Sequence, residues 1–520
     1  MMKGRPSSLD ELIERQIAEI GEDEAIDHIG LLIDTSFDEK SEAGTTRAFE
    51  LLEQLRTRKL SPAQEATAHY FTANAWENRR HQKEDAGIWA WEQPEIQAQI
   101  LELRRAEQHQ GFAQLPVFQR CRIRTNLANQ FGFIGRFIEA GEARSLALEE
   151  DPRFAMALGN QGIGLMSYAQ SLYDPGHAGA MLTAAHDLLT SALAADARYE
   201  SAGYLEVQAQ FRRQKDEVAR RVNVAEVRKR VGKRFSVGRS ASERSYRTWC
   251  LSHRLFLNPL NDLGPLPIAA NDVLTLPSLR GSLGDERVPR VIGFYNQMKQ
   301  EYVSARFTYY EGLRGENLHF SDRDVLLYDA PELPHYSLAA ERQRAAFRTA
   351  YSLLDKIAFF LNDYLDLGIK PQAVSFRKLW YAKGQTALLP RFEKNDNWPL
   401  RGLFWLSKDL FEEKLQASTD PEAKALDRLR NFFEHRYVQI YEDGDRSIET
   451  QAEEADSEYR YLISRGALAA KTLRLLRLSR AALIYLSLAV HREERKRSDA
   501  SGKGIAFPIK LTPLDDDWKR

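Results

Sequence analysis

The chain has 520 residues, of which 43% are apolar and 28% charged, a balance typical of a globular protein rather than a disordered chain. Its formal net charge of −1 excludes a global attraction to nucleic acid, so any surface that binds nucleic acid has to be a local patch. The N-terminus lacks the apolar core of a signal peptide, and the longest apolar stretch, residues 481–490, is roughly half of what a bilayer requires. Together with two widely separated cysteines, Cys121 and Cys250, these features predict a cytoplasmic protein with no membrane segment.

The first 210 residues contain an internal similarity. Residues 145–158 are echoed by residues 191–203, so that DPRF at 151–154 aligns with DARY at 196–199. Each copy is read as a helix, a turn and a second helix, and this pattern resembles tetratricopeptide (TPR) repeats. Because one hairpin cannot bury its apolar face alone, such hairpins stack and leave a concave groove. We predict a TPR-like array over residues 1–210, whose groove is either a plain scaffold or a platform for a protein or peptide trigger.

Residues 211–285 are predicted to connect this array to the C-terminal part. Between residues 212 and 247 the segment is strongly basic. It is interpreted either as a solvated linker helix or as a stripe that contacts phosphates. The following residues, 249–279, are rich in Pro and Asn but too apolar for disorder, so an ordered irregular connector is expected, with His253 as a structural residue. Upstream, the close glycines from Gly159 to Gly164 follow no predicted strand and indicate helix packing, not a dinucleotide loop.

The C-terminal part, residues 286–500, is predicted to be a bundle of helices, followed by a tail at 501–520. Gly368 and Pro371 mark the end of its second helix, and Asp420 with Pro421 marks the start of its fourth. Residues 444–459 are acidic and are predicted to form a surface loop. The expected helices cover residues 288–313, 338–367, 400–415, 420–443 and about 458–497.

One segment of the fourth helix carries a chemical motif. Residues 429–437 read LRNFFEHRY, and Arg430, Asn431 and His435 within it match the R-x4-6-H signature of the HEPN superfamily. With the helical repeats in front, the chain resembles a bacterial family that couples TPR-like repeats to HEPN domains, most specifically from residue 245 to 490. The resemblance implies a metal-free endoribonuclease that leaves 2′,3′-cyclic phosphate ends and places two motifs opposite one another in a homodimer.

The residue types suit that chemistry. Histidine titrates near neutrality and can act as base or acid, arginine grips phosphate oxygens with two donors, and asparagine can orient either group. No metal-ligand spacing accompanies the motif, and no cofactor is expected. On a helix Asn431 and His435 share a face, whereas Arg430 lies about 140° from His435, an independent reason to expect a dimer. Glu434, four residues after Arg430, could instead pair with it as a surface salt bridge.

A basic stripe on the last helix is the second candidate feature. Its cations recur every three residues and could hold an RNA backbone, although a solvated face is the alternative. Arg436, directly after His435, is predicted to assist. The members of this stripe are Lys471, Arg474, Arg477 and Arg480.

These observations predict a mainly α protein with an N-terminal TPR-like array and a C-terminal HEPN-type bundle. The function they favour is a metal-independent endoribonuclease that cleaves tRNA or mRNA as a toxin in bacterial stress or antiviral defence, regulated through its repeats. The alternative is a non-catalytic interaction protein that dimerises and binds a partner or nucleotide.

Overall fold

A computed structural model describes residues 8–83, 90–200, 204–279, 287–315, 318–328, 335–384, 386–393, 395–415, 417–444 and 458–500. Most of the acidic loop predicted over 444–459, and the predicted tail at 501–520, lie outside these residues. Among the described residues, no helix is both long and apolar enough to cross a membrane.

Helices dominate the described residues, and the only strands among them are two short ones, so the predicted fold class, mainly α, is confirmed. The helices of the first half are α1 Leu9–Glu14, α2 Glu22–Asp38, α3 Glu42–Arg56, α4 Pro62–Gln82, α5 Pro94–Gln108, α6 Val117–Phe133, α7 Phe137–Glu150, α8 Ala155–Ser171, α9 Pro175–Ala192, α10 Leu205–Arg221, α11 Val224–Val231 and α12 Ala241–Ser252. The second half contains α13 Arg287–Leu313, α14 Leu338–Tyr364, α15 Pro390–Glu393, α16 Trp398–Ser407, α17 Ala423–His435, β1 Tyr437–Tyr441, β2 Arg460–Ser464 and α18 Arg465–Ala500.

The described residues form two compact units. Unit 1 draws on residues 1–170, 176–233 and 380–425, and unit 2 on residues 171–175, 234–379 and 426–520. Helices α15 and α16 therefore belong to unit 1 rather than to the unit that holds α13, α14 and α18. The predicted domain boundaries stay predictions, because a compact unit need not fold alone.

Unit 1 is built from helices that pack in sequential pairs, α2 with α3, α4 with α5, and α6 with α7. The two repeat copies meet directly at their turns, where Phe154 and Arg198 form a parallel bridge. The Ala155 amide donates to the Arg198 carbonyl at 3.0 Å, and the Arg198 amide donates to the Arg153 carbonyl at 2.7 Å. Backbone hydrogen bonds thus join the turns of the two similar segments.

Glycines in α8 allow neighbouring side chains to approach the helix closely. A Cβ at Gly159 would lie 2.0 Å from the ring of Phe211, and one at Gly162 would lie 2.7 Å from Leu189 Cγ. Helix packing is therefore confirmed as the role of these two glycines.

Residues 380–425 are held in unit 1 by an aromatic cluster and a buried ion cluster. Trp91 lies 5.3 Å from the ring of Phe392 and 5.4 Å from that of Phe404. Asp409 receives hydrogen bonds from Arg104 at 2.7 and 3.0 Å and lies 2.8 Å from Arg136 Nη2. Both arginines and the aspartate are buried.

In unit 2, α13, α14 and α18 pack against one another through buried aromatic and aliphatic side chains. Helix α14 begins at the Ser337 cap, whose Oγ accepts from the Ala340 amide at 3.2 Å. It ends at Tyr364, and Asp366, directly after the cap residue Leu365, takes the left-handed conformation of a helix stop at a φ of +53°. Gly368, the predicted stop, follows two residues later with a φ of +67°.

The connector after α12 is ordered, as predicted, and two arginines fix it. Arg306 of α13 pairs with Asp272 through two hydrogen bonds of 2.9 and 2.8 Å. Arg480 of α18 donates to Asp262 at 2.6 Å and to the Phe256 carbonyl at 2.6 Å. The ring of His253 lies 4.8 Å from that of Trp249, in agreement with its predicted structural role.

Two helix predictions in unit 2 were wrong at their ends. The fourth predicted helix stops at His435, and the residues of β1 pair in parallel with those of β2, so the last helix begins at Arg465 instead of near 458. The sequence YVQIY of β1 contains β-branched and aromatic residues, and Val438 and Ile440 are both buried. That composition favours a strand over continued helix.

Candidate active site

Helix α17 presents the motif by burying one face against α14. Leu429 and Phe432 are buried, and the ring of Phe433 meets that of Phe347 edge-on at 5.2 Å. The polar residues of the motif consequently lie on the remaining surface of the helix. The chain leaves the helix immediately after His435 and continues into β1.

Arg430 is half-buried and reaches in two directions. Its Cζ lies 5.1 Å from the centre of the Tyr351 ring on α14, and its Nη1 donates to Asn431 Oδ1 at 3.4 Å. No carboxylate of the described residues lies within ion-pair distance of this guanidinium. Arg430 therefore keeps donors available for a phosphate.

Asn431 is held from two sides on the exposed face of α17. Its Oδ1 accepts from Arg430, while its Nδ2 donates to Asp427 Oδ2 at 3.2 Å. Asp427, Asn431 and His435 are spaced by four residues and share that face. The long side chain of Arg430 thus reaches towards the face of His435, although its Cα does not lie there.

His435 is exposed at the C-terminal end of α17. Its imidazole makes no hydrogen bond or ion pair with any other residue that the structure describes. Both ring nitrogens are accordingly accessible for proton transfer.

The spacing of Arg430 and Glu434 allowed a salt bridge between them, but the two residues do not pair. Its two oxygens each accept from Arg348 of α14 at 3.1 Å. The ion pair joins α17 to α14 and leaves Arg430 with a net positive charge.

Two acidic residues near the motif were missed in the sequence. Asp427 could have been found from its i, i+4 spacing to Asn431. Asp355 lies on α14 within the sequence LLDKI. Burial raises the pKa of its carboxyl above the ordinary value, whereas the Phe376 amide and the Arg430 guanidinium act in the opposite direction.

Further cations and aromatic side chains surround the end of α17. Arg428 and Arg436 lie over the Phe432 ring at 5.5 and 5.2 Å, and Arg436 also donates to the Glu458 carbonyl at 2.8 Å. The hydroxyls of Tyr437 and Tyr336 lie 3.2 Å apart, next to the start of α14. Arg436 is exposed, so the structure leaves it accessible beside the motif.

The predicted basic stripe of α18 does not form one accessible surface. Arg480 was predicted to contact RNA, but its side chain is 1% exposed and its donors are used by Asp262 and by the carbonyls of Phe256 and Asn258. That prediction is wrong, because the connector covers this face of the helix. Arg477 is half-buried and donates to the His253 carbonyl at 3.1 Å. Lys471 and Arg474 are also half-buried and lie nearer the start of α18.

Comparison with known protein families gives a match in the C-terminal half of the chain. Residues 282–493 match the model of the family described as LA2681-like HEPN. No curated protein and no solved structure matches the chain. The matched range contains α17 with its complete motif, and the chain therefore carries a HEPN domain in its C-terminal half, in a segment similar to the LA2681-like HEPN family.

Proposed function

We propose that the protein is a metal-independent endoribonuclease with Arg430, Asn431 and His435 as its catalytic residues. The proposal rests on the exposure and the contacts of these side chains at the end of α17. His435 is exposed and has no partner among the described residues, and Arg430 is not neutralised by a carboxylate there. The family match supports a ribonuclease-type activity for this domain.

The reaction requires three operations at one phosphate. His435 accepts the proton of the ribose 2′-hydroxyl, the 2′-oxygen attacks phosphorus, and the bond from phosphorus to the 5′-oxygen breaks. Arg430 stabilises the added negative charge, and Asn431 positions the guanidinium through the hydrogen bond to its Oδ1. A second acid protonates the leaving 5′-oxygen, so that the products are a 2′,3′-cyclic phosphate and a 5′-hydroxyl.

A homodimer would place a second copy of the motif opposite the first, so that each site can combine Arg430 of one copy with His435 of the other. Several exposed apolar side chains within residues 318–328 support this arrangement, since exposed apolar patches mark interaction surfaces. Leu326 is 82% exposed and Tyr328 is 88% exposed. The segment is tied to the start of α14 by the bond from the Leu338 amide to Asp322, and β1 meets the same end of α14 through Tyr336 and Tyr437.

RNA recognition is proposed to involve the cations around α17. Arg436 would contact the backbone next to His435, while Lys471, Arg474 and Arg477 remain candidates for more distant phosphates. The substrate is proposed to be tRNA or mRNA. The two free, buried cysteines Cys121 and Cys250 support action in a reducing compartment, the cytoplasm.

The deciding experiment is cleavage of total RNA and purified tRNA with and without EDTA. Wild-type protein should cleave in both conditions and leave cyclic phosphate ends, and Arg430→Ala and His435→Ala should each lower the rate by about two orders of magnitude or more. Lys424→Ala, which removes an exposed cation from the same helix, is the matched control and should keep full activity.

Cleavage that persists in His435→Ala, or that disappears with EDTA and returns with a divalent cation, would overturn the proposed mechanism. Absence of cleavage by every folded form would favour the non-catalytic interaction protein instead.

A role in defence against phage is proposed from the resemblance to bacterial HEPN proteins. Cells that express the wild-type protein should then form fewer plaques than cells that express Arg430→Ala at equal level. Equal plaque counts would contradict this role without affecting the proposed chemistry.

A further inference from the structure

Unit 1 contains a cavity of about 390 Å³ at the packed faces of α6, α7 and α8, bordered by Gln210 of α10 and Trp398 of α16. Its wall combines aromatic rings, side-chain amides and one charged group. The aromatic residues are Phe137, Tyr168 and Trp398, the amides are Asn129, Asn160, Gln161 and Gln210, and the charged residue is Arg144.

Arg144 is buried without a counter-ion. The residue is 5% exposed, and among the described residues its Nη2 donates only to the Ala128 carbonyl at 3.2 Å and to Asn129 Oδ1 at 3.3 Å. Its Nε has no partner, and no carboxylate of the described residues lies within ion-pair distance. Burial by itself lowers the pKa of this guanidinium to about 10.

Three of the other buried arginines are each paired with a carboxylate. Arg136 lies 2.8 Å from Asp409, Arg306 pairs with Asp272 in unit 2, and Arg480 pairs with Asp262 there. A buried charge that lacks a partner is costly, so its retention points to a partner that is supplied from outside.

The surroundings of Arg144 leave room for that partner. A Cβ at Gly164 would lie 2.9 Å from Arg144 Nη1, so the glycine keeps this side of the guanidinium open. Asn129 Oδ1 accepts from both Arg144 Nη2 and Asn160 Nδ2, the latter at 3.2 Å. The amide nitrogen of Asn129 makes no hydrogen bond to any residue that the structure describes, so it can donate to a ligand.

The indole of Trp398 provides a flat apolar surface. It is half-buried and lies 4.6 Å from the Phe137 ring at an interplanar angle of 30°. Its Nε1 donates to the Gly132 carbonyl at 3.1 Å, which fixes the orientation of the ring.

We propose that this cavity binds a small phosphorylated ligand of about mononucleotide size. The phosphate pairs with the guanidinium of Arg144, the flat ring of the ligand packs on Trp398, and the amides of Asn129, Asn160 and Gln210 bond its polar edge. A cavity of this volume lies within the range of small-molecule sites. The site is distinct from the motif of α17 and does not depend on the proposed ribonuclease activity.

The test is calorimetric titration of the full chain with AMP, GMP, CMP and UMP, together with the four nucleosides, ribose 5-phosphate and inorganic phosphate. At least one mononucleotide should bind at least tenfold more tightly than its nucleoside and than inorganic phosphate. Arg144→Met should weaken that binding at least tenfold. His435→Ala should leave it unchanged, which separates this cavity from nucleotide binding at the motif.

Thermal unfolding without ligand separates a binding role of Arg144 from a structural one. Arg144→Met should unfold at the same temperature as wild type or higher, because the substitution removes an uncompensated buried charge. Gln210 is exposed and borders the cavity. The bulkier side chain of Gln210→Trp should therefore block ligand binding without changing the melting temperature. Binding that survives Gln210→Trp, a melting temperature that falls by several degrees in Arg144→Met, or no response to any phosphorylated probe would overturn the proposal.

Discussion

Arg430 and Arg480 differ in what their guanidinium groups contact. Arg480 is surrounded by Asp262 and two backbone carbonyls, which use its donors and neutralise its charge. Arg430 rests on the Tyr351 ring and, within the part of the chain that the structure describes, bonds only the neutral amide of Asn431. A planar cation held by neutral groups keeps its charge for a substrate, whereas one held by a carboxylate contributes to the fold.

Replacement of Arg480 should therefore affect stability and not RNA affinity. Arg480→Met leaves Asp262 buried without its partner, and the free energy of unfolding should fall by about 3–5 kcal/mol in urea titrations. Arg477→Met, on the same helix but only half-buried, serves as the control and should cost far less. A clear drop in RNA affinity of folded Arg480→Met, measured at several salt concentrations, would contradict the structural role.

The catalytic motif could be predicted from the sequence, but the role of Arg480 could not. The motif consists of certain residue types at short, fixed spacings, and these can be read directly from the sequence. The burial of Arg480 depends on the connector around Asn258, more than 200 residues away along the chain, and a period of three on a helix does not reveal which face another segment covers. Glu434 shows the same limit, because its partner Arg348 lies on a different helix.

At the scale of elements, residues 380–425 show how one buried ion cluster can hold a segment within a unit. Burial alone would raise the pKa of Asp409, but Arg104 and Arg136 overcome this effect and hold the pKa well below its usual range. Thr419 adds a hydrogen bond of 2.6 Å to the same carboxylate. The cluster thereby connects α5 and the start of α7 to the chain that follows α16.

Asp409→Asn should lower the free energy of unfolding by about 3–5 kcal/mol at neutral pH, because two buried arginines lose their shared charge partner. Since the pKa of Asp409 is depressed on folding, its contribution is complete above the unfolded pKa of about 4 and is lost as the pH falls below it. The difference between wild type and variant should therefore shrink below about pH 4. A difference that stays constant from pH 7 to pH 3 would contradict this role.

The short sheet is the element that the sequence analysis missed. Residues 437–441 were predicted to continue α17, because the helical spacing of apolar residues before them was assumed to continue past the motif. Their branched and aromatic side chains carried the signal for a strand, and their partner β2 lies beyond residues 445–457, so pairing could not be inferred locally. The turn at Arg436 matters for the site, since it makes His435 the last helical residue.

For the whole molecule, the central question is whether one protomer or two form each active site. Each chain carries one motif, and Arg430 and His435 start from different faces of α17. The exposed apolar segment 318–328 offers a surface for a second copy near the start of α14. In a two-fold dimer, one site could take Arg430 from one protomer and His435 from its partner.

Mixing two inactive variants tests this arrangement. If each site combines Arg430 of one protomer with His435 of the other, a heterodimer of Arg430→Ala and His435→Ala contains one fully intact site. After unfolding and refolding of an equal mixture, half of the dimers are mixed, so cleavage should recover to about a quarter of the wild-type rate. If each site uses both residues of one protomer, no intact site forms and the mixture stays inactive. Sedimentation of the refolded mixture provides the control, because recovery has the stated meaning only if dimers are present.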